Sequence, residues 1–429
     1  MHPLAIETNA RLPEQVLRML SDRGQAIFFP SKGILGQAAQ ARGRRINATI
    51  GIALEEDGTP MRLAGLDAAI PLSPRDAFPY APSYGKAELR DCWAGLIRTK
   101  NPSLGDMPIS RPVVTSALTH ALSVAGYLFL DPGEQLILSD LYWGNYGLIF
   151  KNAFGAELTT YPTFENQGFN VDGLKAQLLA GEPGKRVVVL NFPNNPTGYT
   201  CTAAEARGIK DALVSAADAG SDVVVLIDDA YFGLVYDDAI MTESIFAQLG
   251  DAHERILAVK IDGATKEDYA WGFRVGFITY AGKGLSEDAL LALADKTAGA
   301  VRGNISNASH LSQSLLLSAY KDQAYQDWKA EKYAVMKKRY DVVRTVLENH
   351  PEYQDSFEAL PFNSGYFMCV RPRAGDVDQI RRHLLEHFDT GVIATSGLIR
   401  VAFSSAPTGV LPELFENLHQ ACQAVAQGT

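Results

Sequence analysis

The middle of the chain repeats one pattern, in which short apolar runs alternate with longer amphipathic stretches. Four runs rich in Val, Ile and Leu lie at residues 135–139, 187–191, 223–227 and 256–261. Strands that are buried on both faces have this composition, and the stretches at 121–130 and 203–219 have helical periodicity. The pattern therefore predicts a mostly parallel sheet covered by helices.

The C-terminal part of the chain has a different pattern, in which helices dominate. Helical stretches are predicted at residues 325–348, 377–388 and 411–425, around short strands at residues 366–370 and 399–403. Such a mixture indicates a smaller α+β domain, and the helix at 325–348 is long enough to connect two domains.

The N-terminal part gives weaker signals. Residues 13–20 form an amphipathic segment, residues 46–51 read as a strand, and the polar, turn-rich residues 55–60 indicate a loop or hairpin.

Composition narrows the possible partners and the compartment. The chain has 429 residues and a formal net charge of -10, which argues against nucleic acid or an anionic membrane surface as the main partner. Its four cysteines are far apart without metal-ligand spacing, which predicts free thiols in a reducing compartment. We find neither a signal-peptide pattern nor an apolar run of membrane-spanning length, so we expect a cytoplasmic protein with no bound metal.

Polar residues follow the predicted strands where each strand ends. They are Asn191 with Asn195, Asp228 with Tyr231, Lys266 with Arg274, and the segment of residues 115–119 ahead of a helix. Each has an ordinary structural reading, as a turn, a helix cap or a solvated loop lysine. Ligands of open α/β sheets bind at the carboxyl ends of the strands, where these groups would converge. Together they suit a phosphorylated aromatic cofactor attached to a lysine.

Three motifs carry a resemblance to a known family. Asn-Asn-Pro-Thr-Gly at residues 194–198, Asp-Asp-Ala-Tyr-Phe-Gly at residues 228–233, and Lys266 with Arg274 eight positions later resemble pyridoxal-phosphate-dependent class I/II aminotransferases of the aspartate-aminotransferase fold. The resemblance extends over about residues 46–403. It implies the fold type I architecture, with a three-layer large α/β domain at 56–315 and a smaller α+β domain formed by 316–429 together with the N-terminal segment 1–55.

The resemblance also implies roles for the residues around the cofactor ring. Lys266 would bond to the aldehyde of pyridoxal 5'-phosphate and later move a proton. Asp228 would pair with the ring nitrogen, supported from behind by Tyr146, while Tyr231 and Asn195 would hydrogen-bond the phenolic oxygen.

Further residues match the family's phosphate and ring contacts. Arg274, Thr119, Leu118 and the backbone near Ala117 would hold the phosphate at the positive end of a helix. Trp143 would stack on the ring, with a core aromatic as the alternative.

The substrate and the partner subunit have their own candidates. Arg400, inside an apolar strand, would clamp the substrate α-carboxylate, with Gly51, Trp143 and Asn195 alongside. Arg302 resembles the arginine that binds a side-chain carboxylate, and its alternative is an exposed arginine at a helix end. Tyr80 matches a tyrosine that reaches the phosphate of the neighbouring subunit, which implies a homodimer with shared sites; its alternative is a turn tyrosine.

The sequence departs from the family pattern at several positions. Gly263 replaces a hydroxyl residue on the phosphate, Leu118 replaces a small residue, and the acidic pair Glu267 and Asp268 could restrict which substrates fit.

The expected reaction is transfer of an amino group between an L-amino acid, possibly acidic or aromatic, and a 2-oxo acid by a ping-pong mechanism. The alternatives are a β-lyase or decarboxylase on the same cofactor, or a non-catalytic cofactor-binding regulator.

Overall fold

The computed structural model describes residues 1–29, 33–70, 72–237 and 240–428. Its strands are β1 Ile46–Asn47, β2 Val113–Thr115, β3 Gln135–Ser139, β4 Glu157–Tyr161, β5 Phe164–Glu165, β6 Gly168–Phe169, β7 Lys185–Asn191, β8 Asp222–Asp228, β9 Ile256–Asp262, β10 Gly276–Ala281, β11 Phe357–Ala359, β12 Phe367–Pro372, β13 Thr390–Gly391, β14 Ile393–Thr395 and β15 Leu398–Ala402.

The α-helices are α1 Pro3–Asn9, α2 Glu14–Met19, α3 Asp22–Ala26, α4 Ile34–Gln40, α5 Ala64–Ala68, α6 Pro74–Ala77, α7 Ala87–Lys100, α8 Ala117–Phe129, α9 Val171–Leu178, α10 Ala203–Asp218, α11 Phe246–Leu249, α12 Ala264–Glu267, α13 Glu287–Asn304, α14 His310–Tyr320, α15 Tyr325–Asn349, α16 Val377–His387 and α17 Leu411–Gln427. A π-helix spans Gly147–Ala153, and 3₁₀ turns span Pro102–Leu104, Pro351–Asp355, Phe403–Ser405 and Thr408–Val410.

The large domain is built on a seven-stranded sheet in the order β2-β10-β9-β8-β7-β3-β4. Only β10 runs antiparallel to its neighbours, and the other pairings are parallel. The inner strands are buried along most of their length, as their continuous apolar sequences predict. The mostly parallel α/β sheet expected from the sequence is therefore confirmed.

Helices cover both faces of this sheet, for a topological reason. The connections through α9 and α10 lead from β4 to β7 and from β7 to β8, in one direction across the sheet, whereas α8 leads from β2 to β3 in the opposite direction. Because parallel crossovers are right-handed, opposite directions place helices on opposite faces. The carboxyl ends of β2, β7, β8 and β9 then meet at one edge.

The smaller domain has an antiparallel sheet in the order β11-β12-β15-β14. Strand β1 pairs in parallel with β13, so the N-terminal segment joins the C-terminal part of the chain. The long helix α15 bonds to residues of this region through Arg339, which donates to Ser404 O and pairs with Glu56. The division into residues 1–55, 56–315 and 316–429 stays a prediction.

Three local expectations need comment. The strand expected at 46–51 is only two residues long, because the chain turns away after Asn47 to contact β15. The hairpin at 55–60 is confirmed by the bridge between Leu54 and Pro60. Lys266, expected in a loop, lies in the single helical turn α12.

Among residues 1–29, 33–70, 72–237 and 240–428, none of the helices has both the length and the apolar composition of a membrane-spanning segment.

Candidate active site

A cavity of about 390 Å³ opens at the carboxyl edge of the large sheet. Residues from the sheet, from β15 of the smaller domain and from the N-terminal segment all line it. Twelve of the residues singled out from the sequence are among them: Gly51, Ala117, Leu118, Thr119, Trp143, Asn191, Asn195, Asp228, Tyr231, Lys266, Arg274 and Arg400. Groups from widely separated positions thus share one space, as the strand ends predict.

Lys266 supplies an amine to this cavity from the turn that follows β9. Burial lowers the pKa of its ammonium to about 8; Asp228 opposes this shift and Arg274 adds to it. The Lys266 Nζ lies 5.3 Å from the centre of the Tyr231 ring. A lysine with such a pKa has a useful fraction of neutral, nucleophilic amine near neutral pH.

Asp228 stands at the end of β8 in a fully buried position. Burial raises the pKa of its carboxyl to about 6, while the Tyr146 hydroxyl, 2.5 Å away, and Lys266 lower it. The Ala230 N–H also donates to this carboxylate, and Asn191 Nδ2 donates to the Asp228 carbonyl. The contact that Tyr146 was expected to make is confirmed. The aligned carboxylate can accept a proton or a hydrogen bond from a ring nitrogen.

Arg400 enters the cavity from β15 and has an incomplete set of partners. Its guanidinium donates to Asn195 Oδ1 at 3.2 Å and to the Thr49 carbonyl at 3.2 Å, and it stacks 4.2 Å over the Phe367 ring. Its buried Nε has no hydrogen-bond partner among the described residues. A buried guanidinium with a spare donor is suited to binding a carboxylate from outside the chain.

Tyr231 and Asn195 lie next to this guanidinium. Burial raises the pKa of the Tyr231 phenol, whereas Arg400 and a hydrogen bond with Asn195 lower it. Asn195 is held in place because its N–H donates to Asn191 Oδ1. Both side chains can therefore direct hydrogen bonds at an oxygen in the cavity.

The other end of the cavity is the beginning of α8. Ala117 adopts a left-handed φ of 63°, after which Leu118 and Thr119 present the first turn of the helix to the cavity. Backbone N–H groups at a helix N-terminus bind anions, and the exposed Arg274 lines the same region. This end suits a phosphate group.

The two departures from the family pattern at this end, Gly263 and Leu118, are sterically compatible with each other. A Cβ on Gly263 would lie 2.6 Å from the Val275 carbonyl and 3.1 Å from Leu118 Cδ1. A hydroxyl side chain has no room at position 263, because the larger Leu118 and the start of β10 approach it closely. The sequence predicts that one phosphate contact is lost at Gly263, and this packing is consistent with that loss.

Two predicted site residues lie elsewhere on this chain. Tyr80 is 90% exposed, away from the cavity. Arg302 lies in the last turn of α13 and donates to Ser306 Oγ at 2.7 Å, as the helix-end alternative predicts. The role of Tyr80 toward a neighbouring subunit and that of Arg302 toward a side-chain carboxylate stay predictions.

The expectation that Glu267 and Asp268 restrict the substrate is wrong. Both carboxylates are buried on the side away from the cavity, where lysines and tyrosines from α7, α14 and α15 contact them. Successive residues of the α12 turn point in different directions, so Thr265 and Lys266 line the cavity and Glu267 does not.

Several lining residues carried no recognisable sequence signal. Ile34, Leu35 and Ala38 of α4 form an apolar wall, although α4 has only seven residues and no capping side chain. Phe367 supports Arg400, and the Tyr366 hydroxyl donates to the Lys266 carbonyl at 3.1 Å. These contacts depend on tertiary structure rather than on local pattern.

The residues present fit pyridoxal 5'-phosphate at each of its polar groups. Lys266 faces the same cavity as a buried carboxylate for a ring nitrogen, a helix start with Arg274 for a phosphate, and the orphaned Nε of Arg400 for a substrate anion. Trp143 is half-buried and forms an aromatic wall of the cavity. Its ring is edge-on to that of Tyr146, with 5.8 Å between the ring centroids. Fold and site together define a lysine-dependent cofactor enzyme of the α/β class.

Comparison with known proteins identifies the family. The model of the aminotransferase class I and II family matches residues 50–418, so the chain belongs to this pyridoxal-phosphate-dependent family. The expected fold and cofactor are thereby confirmed.

Individual relatives are more distant. A probable N-succinyldiaminopimelate aminotransferase of Mycobacterium tuberculosis is 30% identical over 186 residues, which cover 43% of this chain and 44% of the relative. The matches to the first curated relatives span about half of those proteins' length.

Solved structures share the fold over nearly the whole chain. An aminotransferase from Anaerococcus prevotii has a TM-score of 0.82 at 24% identity, covering 94% of this chain and 98% of its own. The cytoplasmic aspartate aminotransferase of Saccharomyces cerevisiae has a TM-score of 0.75 at 20% identity, covering 92% and 97%.

Proposed function

We propose that this protein is an aminotransferase that moves an amino group between an L-amino acid and a 2-oxo acid by a ping-pong mechanism. The observation that carries the proposal is the joint presence of the Lys266 amine, the Asp228 carboxylate and the spare donor of Arg400 in one cavity. Family membership and the names of the relatives support the same reaction class.

Each residue has a definite task in this proposal. Pyridoxal phosphate, when bound, supplies an aldehyde for amines and a ring that accepts electron density. Lys266 would hold the cofactor's aldehyde carbon and, once freed as an amine, would carry a proton between the substrate Cα and that same carbon. Asp228 would keep a proton on the ring nitrogen, and Arg400 would orient the substrate by its α-carboxylate.

The walls beside Arg400 favour an amino acid with an apolar or aromatic side chain. Ile34, Leu35 and Ala38 of α4 face the cavity together with Ile50 and Phe367. Arg302, the candidate for a distal carboxylate, lies outside the cavity of its own chain. A side-chain carboxylate of an acidic substrate would therefore not meet Arg302 of the same chain.

We further propose a homodimer, because the segment around Tyr80 exposes large apolar side chains. Ile70 is 63%, Phe78 84% and Tyr80 90% exposed. Such a segment is suited to burial against a second copy of the chain. The four free cysteines are consistent with the cytoplasmic location that we expect.

A half-reaction screen tests the proposed activity. Cofactor-loaded protein is incubated with each common amino acid, and the 2-oxo acid and pyridoxamine phosphate formed per site are measured. We expect one equivalent of each from apolar or aromatic amino acids. Ammonia with pyruvate would indicate the β-lyase, carbon dioxide the decarboxylase, and no reaction with any amino acid the regulator.

A further inference from the structure

A cluster of buried charged side chains lies directly behind the strand ends that carry Asp228 and Lys266. Its first part consists of Lys260, Asp229 and Asp262, whose side chains are almost completely buried. Lys260 pairs with Asp229 and with Asp262, which also accepts a hydrogen bond from the Trp93 indole at 3.0 Å. Asp229 directly follows Asp228, so the neighbouring carboxylates face opposite sides of one strand end.

The second part of the cluster contains the acidic pair that follows Lys266. Glu267 accepts hydrogen bonds from Lys100 Nζ at 2.7 Å and Lys329 Nζ at 2.8 Å. Asp268 pairs with Lys329 at 3.2 Å and accepts hydrogen bonds from the hydroxyls of Tyr320 and Tyr325, each at 2.7 Å. Side chains from α7, α14 and α15 therefore meet at the turn that bears Lys266.

The backbone of the turn is held as well. The Asp268 N–H donates to the Ala264 carbonyl, and the Lys266 carbonyl accepts hydrogen bonds from the Tyr269 N–H and the Tyr366 hydroxyl. Since α12 is only four residues long, its own hydrogen bonds cannot hold it firmly. Its position must come largely from the side chains on either side of Lys266.

Helix α15 extends this arrangement toward the arginine of the cavity. Lys329 lies in its second turn, and Arg339, ten residues or roughly 15 Å further along the helix, donates to the Ser404 carbonyl. Ser404 closely follows β15, which bears Arg400. One helix thus contacts both the lysine turn and the end of the strand that carries the carboxylate clamp.

We propose that Glu267 and Asp268 are positioning residues, which fix the Lys266 amine relative to Asp228 and Arg400 by tying its turn to α15. The inference rests on the proposed role of Lys266. Charge-assisted hydrogen bonds suit this task because they are short and directional. A simple gain in stability explains the cluster poorly, because desolvation of buried ions largely cancels their attraction.

The pH dependence of Lys266 acetylation tests this proposal. Cofactor-free protein is labelled with acetic anhydride, and the extent at Lys266 is followed by mass spectrometry. Glu267→Gln and Asp268→Asn should loosen the turn and let water reach the Lys266 ammonium. The pH at which acetylation of Lys266 is half-maximal, its labelling midpoint, should therefore rise by about one pH unit. In the cofactor-loaded enzyme kcat should fall about tenfold with little change in KM, because Arg400 is untouched.

Leu213→Ala is the matched control, since Leu213 is a buried residue of α10 that does not line the cavity. It should lower the melting temperature and leave the midpoint unchanged. If the acidic-pair variants lose thermal stability but keep the wild-type midpoint and kcat, the proposal is overturned.

Tyr325→Phe provides a variant that keeps every charge of the cluster. It removes one hydrogen bond to Asp268 and should raise the labelling midpoint of Lys266 by a smaller amount. This variant therefore tests the proposal even if the charge variants fail to fold. An unchanged midpoint in Tyr325→Phe overturns the proposal. Because labelling needs no cofactor, its result is independent of whether the protein is an aminotransferase.

Discussion

The cavity and the charged cluster lie on opposite sides of the same strand ends. The two regions differ in whether their charged groups are paired with one another. In the cluster, each of the three lysines and four carboxylates forms at least one ion pair. In the cavity, Lys266 and Asp228 have pKa values displaced mainly by burial, and Arg400 keeps an orphaned donor. The chain alternates between the two sides, with Asp228 and Lys266 on one and Asp229 and Glu267 on the other.

The difference shows how to separate a reactive site from a structural cluster of the same composition. Both contain buried lysines and aspartates, so residue type alone does not distinguish them. Every charged group of the structural cluster has an oppositely charged partner within the cluster, although Asp262 Oδ2 and Glu267 Oε2 accept no hydrogen bond among the described residues. In the cavity, by contrast, the Arg400 guanidinium has no carboxylate partner and is left for a ligand to complete. Substitutions in the cavity should therefore affect chemistry directly. Substitutions in the cluster should affect stability and, at Glu267 and Asp268, the position of Lys266.

Lys266→Ala should have the largest effect on turnover. Loss of the amine removes both the attachment point and the proton carrier, so kcat should fall by at least about 10⁴-fold. The melting temperature of the cofactor-free protein should fall little, because a buried ammonium with an unfavourable environment is removed. Single-turnover kinetics and thermal unfolding measure the two effects, and a folded variant with near-normal turnover would contradict the site.

Lys260→Met should lower the stability of the fold more than turnover, although Lys260 lies only six residues before Lys266. It leaves Asp229 and Asp262 buried without their cation, which should cost about 3–5 kcal/mol of unfolding free energy. Urea unfolding of the cofactor-free protein measures this loss. A stable Lys260→Met protein would remove the distinction between the two sides.

Arg400→Gln should weaken use of every amino acid alike, because it removes the contact with the α-carboxylate. The expected loss in kcat/KM is about 2–5 kcal/mol, or about 30-fold to several-thousand-fold. Arg371→Gln is the matched control, since Arg371 belongs to the same sheet but is exposed. Equal kinetics for both variants would rule out the clamp.

Tyr146→Phe should have the smallest effect, confined to the pH dependence. The Tyr146 hydrogen bond lowers the pKa of Asp228, so its loss should raise that pKa above about 6. Asp228 would then be neutral over a wider range, and cofactor affinity should begin to fall at a pH about one unit higher as the solution is acidified. Fluorescence titration of cofactor binding measures this pH dependence.

Tyr280→Phe is the control for that prediction. Tyr280 is also buried and bonds to Thr297 in the large domain, but it does not line the cavity. Its pH dependence should match that of the wild type, whereas equal shifts in both variants would show a general effect of losing a buried hydroxyl.

Much of the cavity could be predicted because continuous apolar strands show where each strand ends. Asp228 and Lys266 follow such runs, and the rule for parallel sheets brings those ends together. Glu267 and Asp268 were misjudged because the direction of a side chain in a one-turn helix depends on tertiary partners such as Lys329. The wall formed by α4 was missed because a short helix without a capping side chain leaves little pattern.

The most direct test of the account is to locate the cofactor on the chain. The cofactor-loaded protein is reduced with borohydride, digested, and analysed by mass spectrometry for the pyridoxyl phosphate adduct. We predict a single adduct on Lys266 and none on the paired Lys260, despite their nearness in sequence. An adduct on Lys260 or another lysine, with Lys266 unmodified, would contradict the assignment of the reactive side.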